Sequence, residues 1–513
     1  MSTRMNVTMK TNSFVSAATA VRPALSTLLA ALILSGCATT PQLQMPQIDV
    51  PASYKESVAT QATAPTANAS DGTSAAAAGT ARWKPAQPAE AQPRGEWWLA
   101  FNDPALNQLI ADSTAANANL AAAAARVKQA RALAGISEAD RMPAIDAQFG
   151  PQRARPSALS LGLPQGTPVA PVTAWQGRLT ASYEVDLFGR VAGNINAAQA
   201  DAAAGEALYR SVLLALQADV AQTYFRLRAA DAEQALLDET VRLREENVRI
   251  NQRRFDLGAL GELELQRVKT ELATTRSEAL GVQRQRAQYE HALAVLLGKP
   301  AAAFSAPSAP LLQSASLPVI PAGLPSSLLE RRPDIAAAQR AMIASNARIG
   351  VAKSAMFPAL RITGAGGFEA EGLSDLFKWS SRSWLLGALL SMPIIDGGRN
   401  RANIARSEAA LEESVANYRQ SVLSAFAEVE DNLAGLRILS RQAEASDDAL
   451  SSARRAAELA DKLYQAGSAG YLELLDAQRN LVAVERNAVR LRADRATTTV
   501  ALIRALGGGW QNH

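Results

Sequence analysis

The chain has 513 residues, 48% of them hydrophobic but only 5% aromatic, with 52 basic against 48 acidic side chains and a formal net charge of +4. So even a charge balance argues against nucleic-acid binding. Two histidines, His291 and His513, and a single cysteine leave out the usual zinc, histidine-base and Cys–His sites. Gly364-Ala365-Gly366-Gly367 is the nearest run to a phosphate loop, and no P-loop lysine follows it. Neither enzyme activity nor a cofactor is expected.

The first segment reads as an address. Arg4, Lys10 and Arg22 precede the apolar run Ala24–Leu34, which suits a secretory signal and is too short to span a bilayer as a helix. It ends in Leu34-Ser35-Gly36-Cys37, which resembles the bacterial lipoprotein box, in which the cysteine is lipidated and becomes the new N-terminus. That resemblance implies a signal peptide over 1–36, acylated Cys37 and, with Ala38 following rather than an aspartate, delivery to outer-membrane lipid. Several acyl chains on one residue make anchoring effectively permanent. Residues 37–94 are rich in Pro, Ala, Gln, Thr and Ser with few large apolar side chains, the composition of a flexible tether.

Beyond the tether the chain repeats itself. Asp186-Leu187-Phe188-Gly189-Arg190 returns as Asp396-Gly397-Gly398-Arg399, with glycine and arginine each shifted by 209 residues. Tyr209/Tyr418, Val220/Val429, Phe255/Tyr464, Gly258/Gly467, Gly261/Gly470 and Leu263/Leu472 keep the same offset. A loop would drift in length, whereas a long helix cannot lose a residue without turning its apolar stripe by about 100°. The chain is a tandem duplication of a long helical device: repeat 1 over 95–300, a linker over 301–324 and repeat 2 over 325–513.

In chain order, each repeat predicts an upper helix (Pro104–Arg141, Pro325–Met356), a pair of strands, a long helix (Arg190–Phe255, Arg399–Tyr464) and a return helix (Glu262–Leu297, Tyr471–Leu506). At 1.5 Å per residue the long helices reach about 100 Å. Val241, Val248 and Phe255 form one row of period seven, and Leu236, Leu243, Ile250 and Leu257 another, roughly 160° around the helix. Two seams on nearly opposite sides call for a neighbour on each, which describes a barrel stave. Each return helix is half as long as its partner, so the upper helix is expected to stack on its end, with the linker and Trp97-Trp98 near the middle. Paired glycines Gly258/Gly261 and Gly467/Gly470 are expected to turn the hairpins through left-handed backbone.

The strands announce themselves by a change of period. Gln176, Arg178, Thr180, Ser182, Glu184 and Asp186 alternate with Leu179, Ala181, Tyr183, Val185 and Leu187. Ile145, Ala147 and Phe149 alternate before them, and Leu360–Thr363 and Trp384–Ile394 take these parts in repeat 2. Alternation over about ten residues suits a transmembrane barrel, and since the smallest such barrels have eight strands, four per chain require oligomerisation. The fold class is mainly α: an α-barrel of long helices plus four strands per chain, twelve in a homotrimer.

With these elements in place, the chain resembles the TolC-like outer-membrane factors, in particular the lipoprotein branch serving resistance-nodulation-division pumps. The resemblance rests on Trp97-Trp98 with Phe101-Asn102-Asp103-Pro104, on Tyr183–Arg190, and on Leu328-Leu329-Glu330-Arg331-Arg332-Pro333-Asp334-Ile335. Phe357-Pro358 and Tyr471-Leu472-Glu473-Leu474-Leu475-Asp476-Ala477-Gln478-Arg479 complete it. It implies a passive homotrimeric duct with a periplasmic adaptor and an inner-membrane pump as partners, most of its mass periplasmic, and small molecules, drugs foremost, as cargo. It places a gate at the periplasmic helical tip, with Leu472 and Asp476 at the constriction braced through Tyr464 and Arg479. A leucine ring can dewet a pore and an aspartate ring favours cations and needs a counter-charge. The repeat mate of Asp476 is Arg267, the candidate for that charge, and Gly258, Gly261, Gly467 and Gly470 mark the tips where an adaptor would dock. Type I protein secretion is the alternative duct. A periplasmic adaptor would show one hairpin flanked by β-rich domains, and a structural lipoprotein would not need alternating strands.

Overall fold

The computed structural model describes residues 39–46, 48, 50, 51, 53–56, 95–309, 317, 318, 320 and 325–508. The expected signal peptide, Cys37 and most of the tether lie outside the described residues. Among those described, the order is α1 (Pro104–Ala116), α2 (Ala118–Ala139), β1 (Ala144–Ala154), β2 (Val172–Val185), α3 (Arg190–Asp256), α4 (Glu262–Leu296), α5 (Pro325–Arg331), α6 (Pro333–Ser354), β3 (Ala359–Ala370), β4 (Arg382–Ser391), α7 (Arg399–Gln465) and α8 (Tyr471–Ala505). The long helices α3 and α7 have 67 residues each, and the return helices α4 and α8 have 35 each. Helix lengths and the offset of 209 residues therefore agree with the sequence reading.

The chain forms two compact units, one of residues up to Met45 with Ala130–Ala202 and Ala341–Val415, the other of Pro46–Gln129, Ala203–Arg340 and Ala416 onward. The first holds the sheet, antiparallel in the order β1-β2-β3-β4. Register sets one face apart from the other. Ile145 opposes Ala181, which opposes Gly364, which opposes Leu386; in the next row Ala147, Leu179, Gly366 and Trp384 follow one another. Gly364 and Gly366 leave room on β3 beside the bulky Leu386 and Trp384. Ile145, Phe149, Leu179, Trp384, Leu386 and Leu390 are all exposed on this apolar side. The opposite side carries Gln148 against Arg178 and Glu184 against Arg361, although Leu385 and Leu389 interrupt it on β4. The run Gly364–Gly367 lies within β3, so it is strand backbone and not a phosphate loop. β4 stops at Ser391 rather than reaching Ile394, because Pro393 cannot donate to a ladder.

Each long helix starts on the repeated aspartate. Asp186 accepts from the amides of Val191 and Ala192 at 3.1 and 2.7 Å, and Asp396 from those of Gly398 and Asn400 at 2.9 Å each. Both satisfy amides that a helix start leaves unpaired. The Glu184 carboxylate pairs with Arg190 through two bonds of 2.6 and 2.9 Å, and Phe188 stacks on Phe357 with ring centres 4.7 Å apart.

The second unit holds two quasi-equivalent cores. One gathers Leu106, Ile110, Leu120, Val220, Phe225, Leu293 and Leu297; the other gathers Leu328, Ile335, Tyr418, Val422, Val429, Leu502 and Leu506. Val220 and Leu297 in the first are the mates of Val429 and Leu506 in the second. Trp97 is buried in the first with Phe304, Leu317 and Ile320 of the linker packed against it. Asp103 caps α1 through the amides of Ala105 and Leu106 and also accepts from the Tyr224 hydroxyl at 2.6 Å. Burial, reinforced by that carboxylate, pushes the Tyr224 phenol up to about 12.

Two expectations need correction. The upper helices are each broken rather than continuous. Asn117 ends α1 in an extended conformation and caps α2 through the Leu120 amide, and its Nδ2 donates to the Leu296 carbonyl at 2.9 Å. Its counterpart Arg332 precedes Pro333, which disfavours helical backbone before it, and donates to the Ala505 carbonyl at 3.2 Å. The breaks thus serve the end-to-end stacking itself, satisfying carbonyls left open at the ends of α4 and α8. The contact is close: a Cβ on Gly298 (φ +66°) would collide with the Ala116 carbonyl oxygen. Gly298→Ala is expected to cost about 2 kcal/mol or more from backbone strain and clash together. Gly258→Ala, with φ +71° but open space around it, should cost about 1 kcal/mol. Comparing the two thermal midpoints checks this.

The second correction concerns the tether, which is docked where it is described. Thr39 Oγ1 donates to the carbonyls of Phe188 and Gly350 at 2.9 Å each, and Asn346 donates to the Pro41 carbonyl. Tyr54 is buried in the second core, and the amides of Lys55 and Glu56 donate to the Glu430 carboxylate. Burial of one tyrosine ring offsets ordering entropy that the polar composition alone could not.

Candidate functional site at the helical hairpin tips

The tips are built identically in both repeats. The Ala259 amide donates to the Arg254 carbonyl at 2.7 Å and the Ser468 amide to Leu463 at 2.9 Å, each closing a Schellman turn behind a left-handed glycine. Gly258 and Gly467 supply that backbone, with φ of +71° and +72°. Gly261 and Gly470 do not. They are extended, with φ of −75° and −78°, and start the return helices as N-cap residues. Only the first glycine of each pair is therefore required by conformation.

The expected gate residues lie on the first turns of α8. Leu472 is 51% exposed and Asp476 is exposed, while Leu474 and Leu475 between them are buried. Helical spacing explains this, since positions four apart share a face and the two between turn inward. Tyr464 packs edge-on against Tyr471 at 6.0 Å and accepts from Arg254 at 3.0 Å, which ties the two hairpins together near the tip. Arg479 lies 3.8 Å from Asp476, but its principal partner is Glu271 on α4, gripped by two bonds, that from Nε at 2.9 Å. Arg267 is exposed, and no ion pair joins it to Asp476 among the described residues.

Sequence reasoning missed the remainder of this joint. Arg486 donates to Glu233 at 2.8 Å and to Glu278 at 2.7 Å, and Arg490 adds a second hold on Glu233 at 2.8 Å. Glu233 and Glu271 are both buried. Arg244, 3% exposed on α3, donates to Gln478 at 2.6 Å. Burial pulls its guanidinium below the ordinary arginine value; Tyr471 opposes that and the nearby Arg479 adds to it. Burial also raises the Tyr471 phenol. The available signal was a matched spacing of seven, Glu271/Glu278 on one helix and Arg479/Arg486 on another.

Higher up, Asp231 forms a second buried centre. Its carboxylate accepts from Arg228 and Arg286 at 2.7 Å each and from the Ala309 amide at 3.1 Å, with its side chain fully shielded from solvent. Arg286 continues to Glu290 and to the Ala306 carbonyl, and Arg228 to the Pro307 carbonyl. The linker is thereby clamped by charge on α3 and α4.

Nothing in these groups forms a nucleophile, base and oxyanion donor set. The arrangement is mechanical: long helices, rigid turns and ion pairs. Among the described residues no helix is long and apolar enough to cross a membrane. The sheet's exposed apolar face, with Ile145, Leu179, Trp384 and Leu386, has the alternation of transmembrane barrel strands. Comparison with known proteins agrees. CusC, a cation efflux system protein of Escherichia coli, is 32% identical over 483 residues, covering 94% of this chain and 97% of that protein. TtgC, a toluene efflux pump outer membrane protein of Pseudomonas putida, is 33% identical over 488 residues, covering 95% of each. The crystal structure of a membrane protein from Pseudomonas aeruginosa superposes with a TM-score of 0.79 at 32% identity, covering 92% of this chain and all of that one. The sequence profile for outer membrane efflux proteins matches residues 109–299 and 324–508. Doubled hairpins, alternating strands and these likenesses converge, and the chain belongs to the outer membrane efflux protein family, whose members provide the outer-membrane duct of efflux systems.

Proposed function

We propose that three copies of this chain close one duct, their twelve strands crossing the outer membrane and their long helices enclosing a passage on the periplasmic side. The observation that carries this reading is the sheet. Among the described residues β1 and β4 each have one unpaired edge, exposed edges invite pairing, and four strands cannot close a barrel alone. Acylation of Cys37 would fit the same placement, because Thr39, two residues on, donates to the carbonyls of Phe188 and Gly350. The duct would receive cargo from an inner-membrane pump of the resistance-nodulation-division class through a periplasmic adaptor seated on the tips at Gly258, Gly261, Gly467 and Gly470. Its gate would be the ring of Leu472 and Asp476, braced by Tyr464 and Arg479, with Arg267 of a neighbouring copy as the counter-charge.

Cargo in this reading is small molecules, chosen by the pump. Relatives of nearly equal likeness are named for a cation and for toluene, chemically opposite cargoes that a passive duct contacts only in passing. Light scattering of the detergent-solubilised protein should give three times the mass of the processed chain, and a monomeric mass would overturn the reading. Deleting the gene should sensitise cells to drugs and bile salts, and the protein should retain its adaptor in a pull-down.

A further inference from the structure

The end of the sheet away from the helices carries a loop that folds back over the apolar side. Helices α2, α3, α6 and α7 all join the strands at one end. The β1–β2 and β3–β4 loops therefore share the other end, which in the duct proposed above faces outside the cell. Residues 371–381, between β3 and β4, cover part of the sheet. Gly177 on β2 leaves a seat for them: a Cβ there would meet Phe149 Cδ2 at 3.5 Å and Leu376 Cδ2 at 3.9 Å. Leu376 fills that seat and is fully buried. Phe377, next along, packs edge-on against Phe368 with ring centres 5.8 Å apart.

What the loop leaves uncovered is aromatic and cationic. Phe377 is 70% exposed and Trp379 is 74% exposed. Arg382 lies over the Trp379 ring, its guanidinium carbon 3.7 Å from the ring centre, and among the described residues it has no carboxylate partner. Lys378 is exposed and pairs with Asp375. The loop is held in shape by its own bonds. Ser381 Oγ donates to the Asp375 carbonyl at 2.8 Å, and the Lys378 amide donates to the same carbonyl at 3.1 Å. Arg382 and Leu390 share the apolar side of β4, eight residues apart. That is about 26 Å along the strand, or about 20 Å along the membrane normal at the usual barrel tilt. An apolar band about 25 Å tall therefore ends near Arg382. Tryptophan favours that level, where its ring meets lipid and its edge meets headgroups.

We propose that Trp379 and Arg382 form a binding site for the phosphorylated sugar headgroup of an outer-leaflet glycolipid of the lipid A type. A guanidinium grips a phosphate through two parallel N–H bonds. The indole, with Arg382 on one face, offers its other face to a sugar ring, and the exposed Phe377 and Trp384 lie where acyl chains begin. Lys378 adds a second positive charge, partly offset by Asp375. A glycerophospholipid supplies the phosphate but no sugar ring, so it gains only part of this contact. The inference rests on the sheet being a membrane barrel, and the test separates the two.

Purified full-length protein in detergent is titrated with diphosphoryl lipid A and, separately, with phosphatidylglycerol, and bound lipid is counted by native mass spectrometry. Wild-type protein should hold lipid A at least tenfold more tightly than phosphatidylglycerol. Arg382→Gln should weaken lipid A binding at least tenfold and Trp379→Ala at least fivefold, whereas Arg401→Gln, exposed on α7, should leave it unchanged. Equal affinity for the two lipids, or lipid A binding that survives Arg382→Gln, overturns the inference. Should Arg382→Gln fail to fold, Arg382→Lys keeps the charge and loses the fork; it should lose at least threefold, and full affinity overturns the inference too. The barrel is tested apart, by labelling Leu386→Cys and Arg401→Cys in phosphatidylcholine vesicles with a membrane-permeant maleimide. Treated wild-type protein reports the background from Cys37, the one native cysteine. A thiol in hydrocarbon forms little thiolate, so Leu386→Cys should react at least tenfold more slowly than Arg401→Cys. Equal rates mean that the sheet does not lie in lipid, and the barrel reading falls together with the inference.

Discussion

Replacing Asp231 by alanine should destabilise the protein by about 3–5 kcal/mol, the range for removing one partner of a buried ion pair. The penalty arises from what is left behind. Arg228 is 7% and Arg286 19% exposed at the side chain, so both guanidiniums lose a carboxylate in a place where water replaces it poorly. The Ala309 amide loses its acceptor as well. The linker would be released on one side, since Arg228 and Arg286 also hold the carbonyls of Pro307 and Ala306. Glu458 provides the comparison. It too bonds two cations, Arg455 and Lys462, but on an open helix face where such pairs are screened and contribute little. Thermal unfolding in detergent should show a large drop for Asp231→Ala and almost none for Glu458→Ala. Equal midpoints would mean that the Asp231 cluster does not clamp the linker.

The second large effect is expected at the proposed gate. Asp476→Ala should raise the closed-state ion leak several-fold in planar bilayers and weaken any cation preference. Asp476 is exposed in the single chain and only 3.8 Å from Arg479, so a ring of three such carboxylates would sit in the passage with a cation beside each. Removing the acid would leave Arg479 paired to Glu271 alone and, in the proposed trimer, would take away a negative ring of the kind that favours cations. Leu472→Ala should also leak, by widening the proposed apolar constriction, but without changing selectivity. Conductance and reversal potential together separate the two variants. An Asp476→Ala channel with wild-type leak and selectivity removes this residue from the gate.

These two sites differ in how far the sequence disclosed them. The hairpin tips were legible, because a Schellman turn needs a left-handed residue and the glycines recur at one offset. Leu472 and Asp476 were placed by resemblance to a motif, and the helix geometry adds that they share a face. The Asp231 cluster was not legible. Its partners Arg286 and Ala309 lie 55 and 78 residues away in sequence, and no periodicity marks a charge that happens to be buried. Tyr54 was hidden for the opposite reason: one aromatic residue in a polar stretch leaves the composition of a tether unchanged while supplying an anchor.

The sequence by itself determined the lengths of the four long and return helices, their doubling, and the presence of strands. Each follows from local rules of period, capping and turn formation that act within a few residues. Only the tertiary structure decided that the upper helix of the first repeat breaks at Asn117, how the linker is held, and which acids the arginines of α8 choose. Arg479 reaches Glu271 across 208 residues and Arg490 reaches Glu233 across 257. Long flexible side chains could have bonded several neighbours, and the choice is made by which helices pack side by side.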